Sequence, residues 1–106
     1  MPDTKNNFQN APEIFPETEF KKPKLYAVIM HNDDYTTMDF VVDVLRKIFK
    51  KDIAEATAIM LDIHMKGSRV VSVYTYDIAM SKANLALSMA SDKGFPLMIT
   101  VKEAME

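Results

Sequence analysis

The chain has 106 residues, enough for one small domain, and its hydrophobic (48%) and charged (26%) fractions are typical of soluble globular proteins. Thirteen basic against fifteen acidic residues give a net charge of −2, which argues against nucleic acid or an anionic membrane as the main partner. The chain has no cysteine and no apolar run near the roughly 20 residues of a membrane span, so we expect a soluble cytoplasmic protein without disulfides or thiolate metal sites.

Residues 1–22 are predicted to form a flexible N-terminal extension, and residues 23–106 the folded domain. Prolines interrupt the first segment, and its apolar residues follow neither a helical nor a strand period. Such a segment buries too little apolar surface to offset the entropy lost on ordering. The remaining residues suffice for one small hydrophobic core.

A first strand is predicted over residues 24–30 and a first helix over residues 37–50. The polar run 31–38 (HNDDYTTM) joins them and places carboxylates, an amide and hydroxyls in a strand-to-helix turn. Thr36 is the predicted N-cap, and Asp39 resembles the second member of a capping box. The stripe predicted to be buried comprises Met38, Val41, Val42, Leu45, Ile48 and Phe49.

The second half of the chain is predicted to contain two more helices and two more strands. Asp52 caps a helix that ends before Gly67, and apolar residues nearly encircle it, so we expect it to pack on more than one side. A strand over 69–76, a helix over 76–93 capped by Thr75, and a strand over 97–101 follow. The order β-α-α-β-α-β predicts an α+β fold, with three helices on one face of a small three-stranded antiparallel sheet.

Metal binding and catalysis receive little support from the residue spacing. Asp33 and Asp34 are adjacent but lack calcium-loop spacing, and two distant histidines without cysteine are a weak zinc signal. There is no cysteine nucleophile and no glycine-rich phosphate loop. An acid–base enzyme using both aspartates and His64 stays an alternative, and would show turnover. No metal, cofactor or catalytic residue is predicted.

The turn also matches a binding site for a positively charged amine. Asn32, Asp33 and a neutral His64 offer three hydrogen-bond acceptors, and a charged α-amino group has three donors. Apolar residues predicted on the facing sides of the two helices would form a pocket beside it. From spacing alone the turn is equally a capped helix start with solvated aspartates, and His64 a core residue.

Four segments of the chain resemble the ClpS family of bacterial adaptors, which deliver N-degron substrates to an AAA+ protease. The run from Asn32 to Val42 (NDDYTTMDFVV) is similar to the family signature. Three further segments follow in the family's order: 56–64 with Gly67, then 73–75 with Ala79 and Lys82, and lastly 95–97. The resemblance covers about residues 24–103.

The resemblance implies recognition of proteins whose first residue is Phe, Leu, Tyr or Trp. By motif match, Asn32, Asp33 and His64 would hold the α-amino group, while Asp34 and Thr36 would border the site and contact the first peptide units. The hydrophobic pocket would be lined by Met38, Val41, Met60, Ile63 and Leu97. Met38 would also exclude β-branched first residues, which are bulky at Cβ.

The resemblance also implies a partner, the N-terminal domain of ClpA or a related Clp ATPase. The docking residues would be Asp77 and Lys82, and residues 1–22 would be engaged by the unfoldase. Thr37, Ile63 and Asp77 depart from the residues most common in the family. The alternative is a protein-interaction module like the C-terminal domain of the ribosomal stalk protein, which is similar in architecture but needs no amine-binding pocket.

Overall fold

The computed structural model describes residues 23–104, and the predicted order of elements is confirmed. The predicted extension, residues 1–22, lies outside the described residues. The elements are β1 (Leu25–His31), α1 (Met38–Lys47), α2 (Ile53–Lys66), β2 (Ser68–Thr75), α3 (Tyr76–Asp92) and β3 (Met98–Glu103). None of these helices is both long and apolar enough to cross a membrane.

The three strands form one antiparallel sheet in the order β2-β1-β3, so the first strand of the chain is the central one. Val28 and Met30 are fully buried because their side chains lie on the helix-covered face. A register shift between Val28 and Ile29 interrupts the pairing of β1 with β2. His31, the last residue of β1, pairs with Ser68 on one side and Met98 on the other. The sheet therefore ends where the polar turn begins.

Helix α1 begins one residue later than predicted and ends earlier. Thr37 is the N-cap, and its hydroxyl accepts a 3.1 Å hydrogen bond from the Phe40 N–H, so the prediction of Thr36 as N-cap was wrong. The helix stops at Lys47, and Lys50 has a left-handed backbone with a φ of 61°. Met38, predicted to be buried, is 43% exposed. Phe40 and Val44, which the predicted stripe omitted, are buried.

Helix α2 has the predicted ends. The Asp52 side chain accepts a hydrogen bond from the Glu55 N–H at 2.8 Å, and Gly67 ends the helix with a φ of 95°. Such a left-handed residue favours glycine because a Cβ would be strained there. The helix packs on both α1 and β2, as expected from its apolar pattern. Its apolar residues Ile53, Leu61 and Met65 are nevertheless exposed.

Helix α3 packs across the sheet through a face of small side chains. Its buried residues are all alanine: Ala79, Ala83, Ala86 and Ala90. Thr75 is the N-cap residue, as predicted, although its side chain makes no cap hydrogen bond. Leu97, predicted to begin the last strand, precedes β3 and is buried. The helix and the residue before β3 therefore complete the core next to the start of α1.

Candidate functional site

The turn between β1 and α1 is organised by the Asp33 carboxylate. Its Oδ1 accepts two backbone hydrogen bonds, from the Tyr35 N–H at 2.8 Å and from the Thr36 N–H at 2.7 Å. An aspartate that bonds the backbone two and three residues ahead fixes a tight turn. Asp33 is therefore a structural residue of the turn, and its carboxylate has a defined position.

The electrostatics of the turn favour the charged form of Asp33. Burial acts to raise the pKa of this carboxyl group, but hydrogen bonds from Thr36 and Tyr35 outweigh it and hold the pKa below its ordinary value. The group is therefore a carboxylate at neutral and mildly acidic pH. A fixed negative charge of this kind favours a cation beside it.

Two oxygen atoms of the turn are buried without a hydrogen-bond partner among the described residues. They are Asp33 Oδ2 and Thr36 Oγ1. Native proteins rarely leave such atoms unpaired, because an unsatisfied buried polar group costs about 1–3 kcal/mol. The Thr36 side chain also contributes to the lowered pKa of Asp33, so these two atoms lie close together within the turn.

The other predicted amine ligands lie beside this turn because β1 and the end of α2 meet there. The Asn32 N–H donates to the Gly67 carbonyl oxygen at 2.8 Å, which ties the start of the turn to the residue that ends α2. His64 lies in the last turn of α2, three residues before Gly67, and is exposed. Asp34 is also exposed. Three acceptors from two segments are thus brought to one end of the helix layer.

The five predicted pocket residues differ in how deeply they are buried. Val41, Ile63 and Leu97 are buried in the hydrophobic core, and Met60 is partly buried against it. Met38 lies one turn before Val41, at the surface. Four of the five residues therefore belong to the core or its edge, and Met38 lies at the surface at the start of α1.

Sequence reasoning missed two residues that hold this region. Phe40 is buried, and its ring lies 5.0 Å from that of Phe95 in an edge-to-face arrangement that fixes the first turn of α1. His31, in the polar run, has its Nε2 2.9 Å from the Thr100 hydroxyl oxygen. The cross-strand pair draws the His31 ring towards β3. Phe40 lies four residues before Val44, so the two side chains share one face of the helix. This spacing could have identified Phe40 as a buried residue.

The predicted docking residues both lie on α3 but in different environments. Asp77 is exposed in its first turn. Lys82 is partly buried, and its Nζ donates to the Ile48 carbonyl oxygen at 2.8 Å and lies 5.5 Å from the centroid of the Tyr74 ring. The Lys82 ammonium therefore has a structural role at the end of α1. Within residues 23–104, no group of three or more acidic or histidine side chains is placed to hold a metal ion.

Comparisons with known proteins give one family. The sequence model of "ATP-dependent Clp protease adaptor protein ClpS" matches residues 21–100. An ATP-dependent Clp protease adapter protein ClpS from Acetivibrio thermocellus is 62% identical over 79 residues, which cover 74% of this chain and 80% of the relative. The protein of the same name from Syntrophus aciditrophicus is 48% identical over 101 residues, 95% of this chain and 94% of the relative.

A solved structure is similar in fold as well as sequence. It is that of Agrobacterium tumefaciens ClpS2 bound to L-phenylalaninamide, with a TM-score of 0.76 and 41% identity. The match covers 78% of this chain and all of that chain.

Proposed function

The chain belongs to the ClpS family of ATP-dependent Clp protease adaptors, and we propose that it binds proteins whose first residue is Phe, Leu, Tyr or Trp and delivers them to ClpA or a related Clp ATPase. It does so as a binding protein without enzymatic activity of its own. Family membership favours this function over a ribosomal-stalk-like interaction module. The observation that carries the proposal is the Asp33 carboxylate, which two backbone hydrogen bonds hold in a defined and charged position at the turn.

The α-amino group of the substrate is the ligand for which this turn is suited. Asp33 contributes a charged acceptor, and the Asn32 side chain and His64 contribute two more acceptors from the neighbouring segments. An α-amino group has a pKa of about 7.7–8.0, so much of it is cationic at neutral pH. A charge-assisted hydrogen bond to a buried carboxylate is stronger than one between neutral groups. Asp34 and Thr36 border this site and contact the first peptide units.

The first side chain of the substrate would enter the apolar region beside the turn. Val41, Ile63 and Leu97 supply rigid, buried walls, whereas Met60 and Met38 are less buried and adaptable. Burying a large apolar or aromatic side chain gives roughly 1.5–3 kcal/mol. Recognition needs both contributions, because the amine contact fixes the end of the substrate chain and the apolar region selects its first side chain.

The ligand of the similar solved structure supports these separate roles of the amine site and the apolar region. L-phenylalaninamide, bound by the Agrobacterium tumefaciens ClpS2, contains a free amine, a phenylalanine side chain and a carboxamide. It is thus the chemical equivalent of a first-position phenylalanine with its first peptide group.

Docking to the unfoldase is assigned to the exposed Asp77 with the neighbouring surface that includes Lys82. Residues 1–22, to which we assign a role in handing the substrate to the unfoldase, lie outside the described residues.

Binding of a Phe-first peptide, compared with its N-acetylated form, tests the proposal. Acetylation keeps the side chain but removes the charge and two donors, so we expect at least about a hundredfold loss of affinity by isothermal titration calorimetry. A second peptide with Ala placed before Phe keeps the charge and moves the aromatic ring, and is expected to bind as weakly. Equal affinity for the acetylated peptide would overturn the amine-binding site.

A further inference from the structure

The corner between α2 and β2 (residues 62–69) is closed by one pair of charged side chains. Arg69, the second residue of β2, donates from Nη1 to Asp62 Oδ2 on α2 at 2.7 Å. In the antiparallel sheet Arg69 pairs with Met30, which is fully buried, and directly opposed residues project to the same face. Arg69 therefore lies on the helix-covered face of the sheet, and its guanidinium group links the sheet to the end of α2.

A second cation also faces the Asp62 carboxylate, but it lies on the same helix. Lys66 Nζ is 3.6 Å from Asp62 Oδ1, one helical turn away, and the Lys66 side chain is 71% exposed. The Arg69 side chain is 37% exposed, and its contact is a short charge-assisted hydrogen bond. Exposed pairs within one helix contribute little, whereas charge-assisted hydrogen bonds are the stronger kind. Of these two cations, only Arg69 connects α2 with β2.

The same corner holds two of the three candidate amine ligands in place. His64 lies within it, two residues after Asp62. The Gly67 carbonyl oxygen, also in the corner, accepts from the Asn32 N–H at 2.8 Å. Helix ends are the parts of a fold that open most easily, so a last turn held by a side-chain bond keeps its residues in a more defined position. The path of the backbone through the corner thus sets where His64 lies relative to Asn32.

We propose that Asp62 and Arg69 are positioning residues of the amine site, which hold His64 at the distance where it meets the same ammonium group as Asn32 and Asp33. The inference rests on the proposed function. Neither side chain of the pair contacts the substrate; both act through the last turn of α2. Acceptors that converge on one small cation bind it best when they are held in advance, because ordering them on binding costs free energy.

Two variants of the same chemical kind test the role of the corner. Arg69→Met removes the donor to Asp62 and keeps an unbranched stem, and should weaken binding of a Phe-first peptide about three- to tenfold by calorimetry. Lys66→Met removes the same charge from beside the same carboxylate but leaves the corner closed, and should bind nearly as the native protein does. Native affinity in Arg69→Met, or equal losses in the two variants, would overturn the proposal.

A double-mutant cycle shows whether Arg69 acts through His64. His64→Ala removes one acceptor and weakens binding by itself. If the only role of Arg69 is to position that acceptor, adding Arg69→Met to His64→Ala should cause no further loss of affinity. Losses that multiply in the double variant would overturn the proposal. The exchanged pair Asp62→Arg with Arg69→Asp restores a cation opposite a carboxylate, and should bind more tightly than Arg69→Met.

Nuclear magnetic resonance of the unliganded proteins separates positioning from a general loss of stability. The imidazole signals of His64 should shift or broaden in Arg69→Met and stay native in Lys66→Met, at a temperature where urea titration shows both variants folded. Unchanged His64 signals in Arg69→Met would overturn the proposal.

The N-acetylated Phe peptide distinguishes failure of this inference from failure of the proposed function. If acetylation abolishes binding to the native protein while Arg69→Met binds the free peptide normally, the amine site stands and the positioning role is wrong. If acetylation has no effect on the native protein, the proposed function fails, and the positioning role fails with it.

Discussion

The two ends of helix α1 differ in how completely their polar groups are paired. At the C-terminal end, the Ile48 carbonyl accepts from Lys82 at 2.8 Å, the Lys51 N–H donates to Leu45, and Asp52 caps the next helix. At the N-terminal end, Asp33 Oδ2 and Thr36 Oγ1 are buried without partners in the described part of the chain. The hydrogen bonds of the described residues therefore satisfy the C-terminal end of α1 more completely than its N-terminal end.

The contrast shows why charge alone is a poor guide to the functional end of this helix. The C-terminal end has the denser charge, with Arg46, Lys47, Lys50 and Lys51 around a surface groove of about 440 Å³. Two of these side chains form ion pairs, Lys47 with Asp43 at 3.2 Å and Lys51 with Glu55 at 3.7 Å. Basic residues there also match the negative end of the helix dipole. The unpaired carboxylate oxygen at the other end is the stronger indication of binding.

The largest expected effect is on peptide affinity in Asp33→Asn. An asparagine Oδ1 still accepts from the Tyr35 and Thr36 N–H groups, so the turn is retained, but the charge facing the amine is lost. Charge-assisted hydrogen bonds contribute roughly 1.5–3 kcal/mol, which corresponds to about a 10- to 100-fold loss of affinity for a Phe-first peptide. Calorimetry with the purified variant measures it.

Asp52→Asn is the matched control at the other end of α1. It makes the same chemical change in a residue that also accepts one backbone hydrogen bond, from Glu55 at 2.8 Å. Asparagine is an equally good N-cap, so stability and peptide affinity should both remain close to those of the native protein. Equal losses of affinity in the two variants would contradict the assignment of function to one end.

Raising the pH should weaken binding at the N-terminal end through the ligand. A peptide α-amine with a pKa of about 7.7–8.0 loses most of its charge by pH 9, and affinity should fall about tenfold between pH 7 and 9. On the acidic side, the lowered pKa of Asp33 keeps its carboxyl group charged and so preserves binding. Its carboxylate contributes above its ordinary pKa and is lost only as the pH falls through the lowered value.

Fluorescence anisotropy of a labelled Phe-first peptide across this range measures the alkaline loss. A peptide whose first residue carries a permanently charged trimethylammonium group should show no such alkaline decline, although its absolute affinity is lower. A pH profile that is flat from 7 to 9 for the native peptide would contradict recognition of the charged amine.

At the C-terminal end, the expected effect is on stability. Lys82→Met keeps the aliphatic stem but removes the donor to the Ile48 carbonyl and the charge near Tyr74, and should lower the free energy of unfolding by about 1–2 kcal/mol. Peptide affinity should not change. Urea denaturation and calorimetry measure the two quantities separately.

Asp77→Asn separates docking from stability on the same helix. Asp77 is exposed, and its replacement should weaken binding to the N-terminal domain of the unfoldase while leaving the unfolding midpoint unchanged. A Lys82 variant weakens the docking surface and the fold together, so it cannot test docking alone. Native affinity of Asp77→Asn for the unfoldase domain would remove Asp77 from the docking surface.

The sequence predicted the elements of the fold better than it predicted the exposure of the helices. Asp52 and Gly67 mark the ends of α2 unambiguously because each supplies a local hydrogen bond or conformation. The first helix has two adjacent threonines, and either fits an N-cap. Asp33 engages the Thr36 N–H within the turn, so the cap passes to Thr37. Only the three-dimensional turn decides between them.

The exposure of a helix side chain depends on which other elements pack on that helix, and the periodic pattern of the helix alone does not show this. Met65 is 79% exposed although α2 is apolar on nearly all sides, because α1 and β2, the elements that make the main contacts with the helix, cover only part of its surface. The residues of the turn alone favoured an amine site and a capped helix start equally, and the family resemblance decided between these two interpretations. Their proximity depends on the backbone hydrogen bond from Asn32 to Gly67, which joins residues thirty-five positions apart and has no local sequence signal.

The smallest expected effect concerns the selectivity of the pocket and follows from the exposure of Met38. The residue is 43% exposed at the start of α1, so its removal creates no large core cavity and should cost little stability. If the side chain narrows the entrance, Met38→Ala should raise the affinity for Val-first and Ile-first peptides by about three- to tenfold, since hydrophobic pockets discriminate by about 1–3 kcal/mol per methylene. Val42→Ala, one turn later on α1, is the control and should leave this selectivity unchanged. Continued rejection of Val-first peptides by Met38→Ala would show that selectivity resides in the buried walls, in which case Ile63→Val becomes the substitution that changes it.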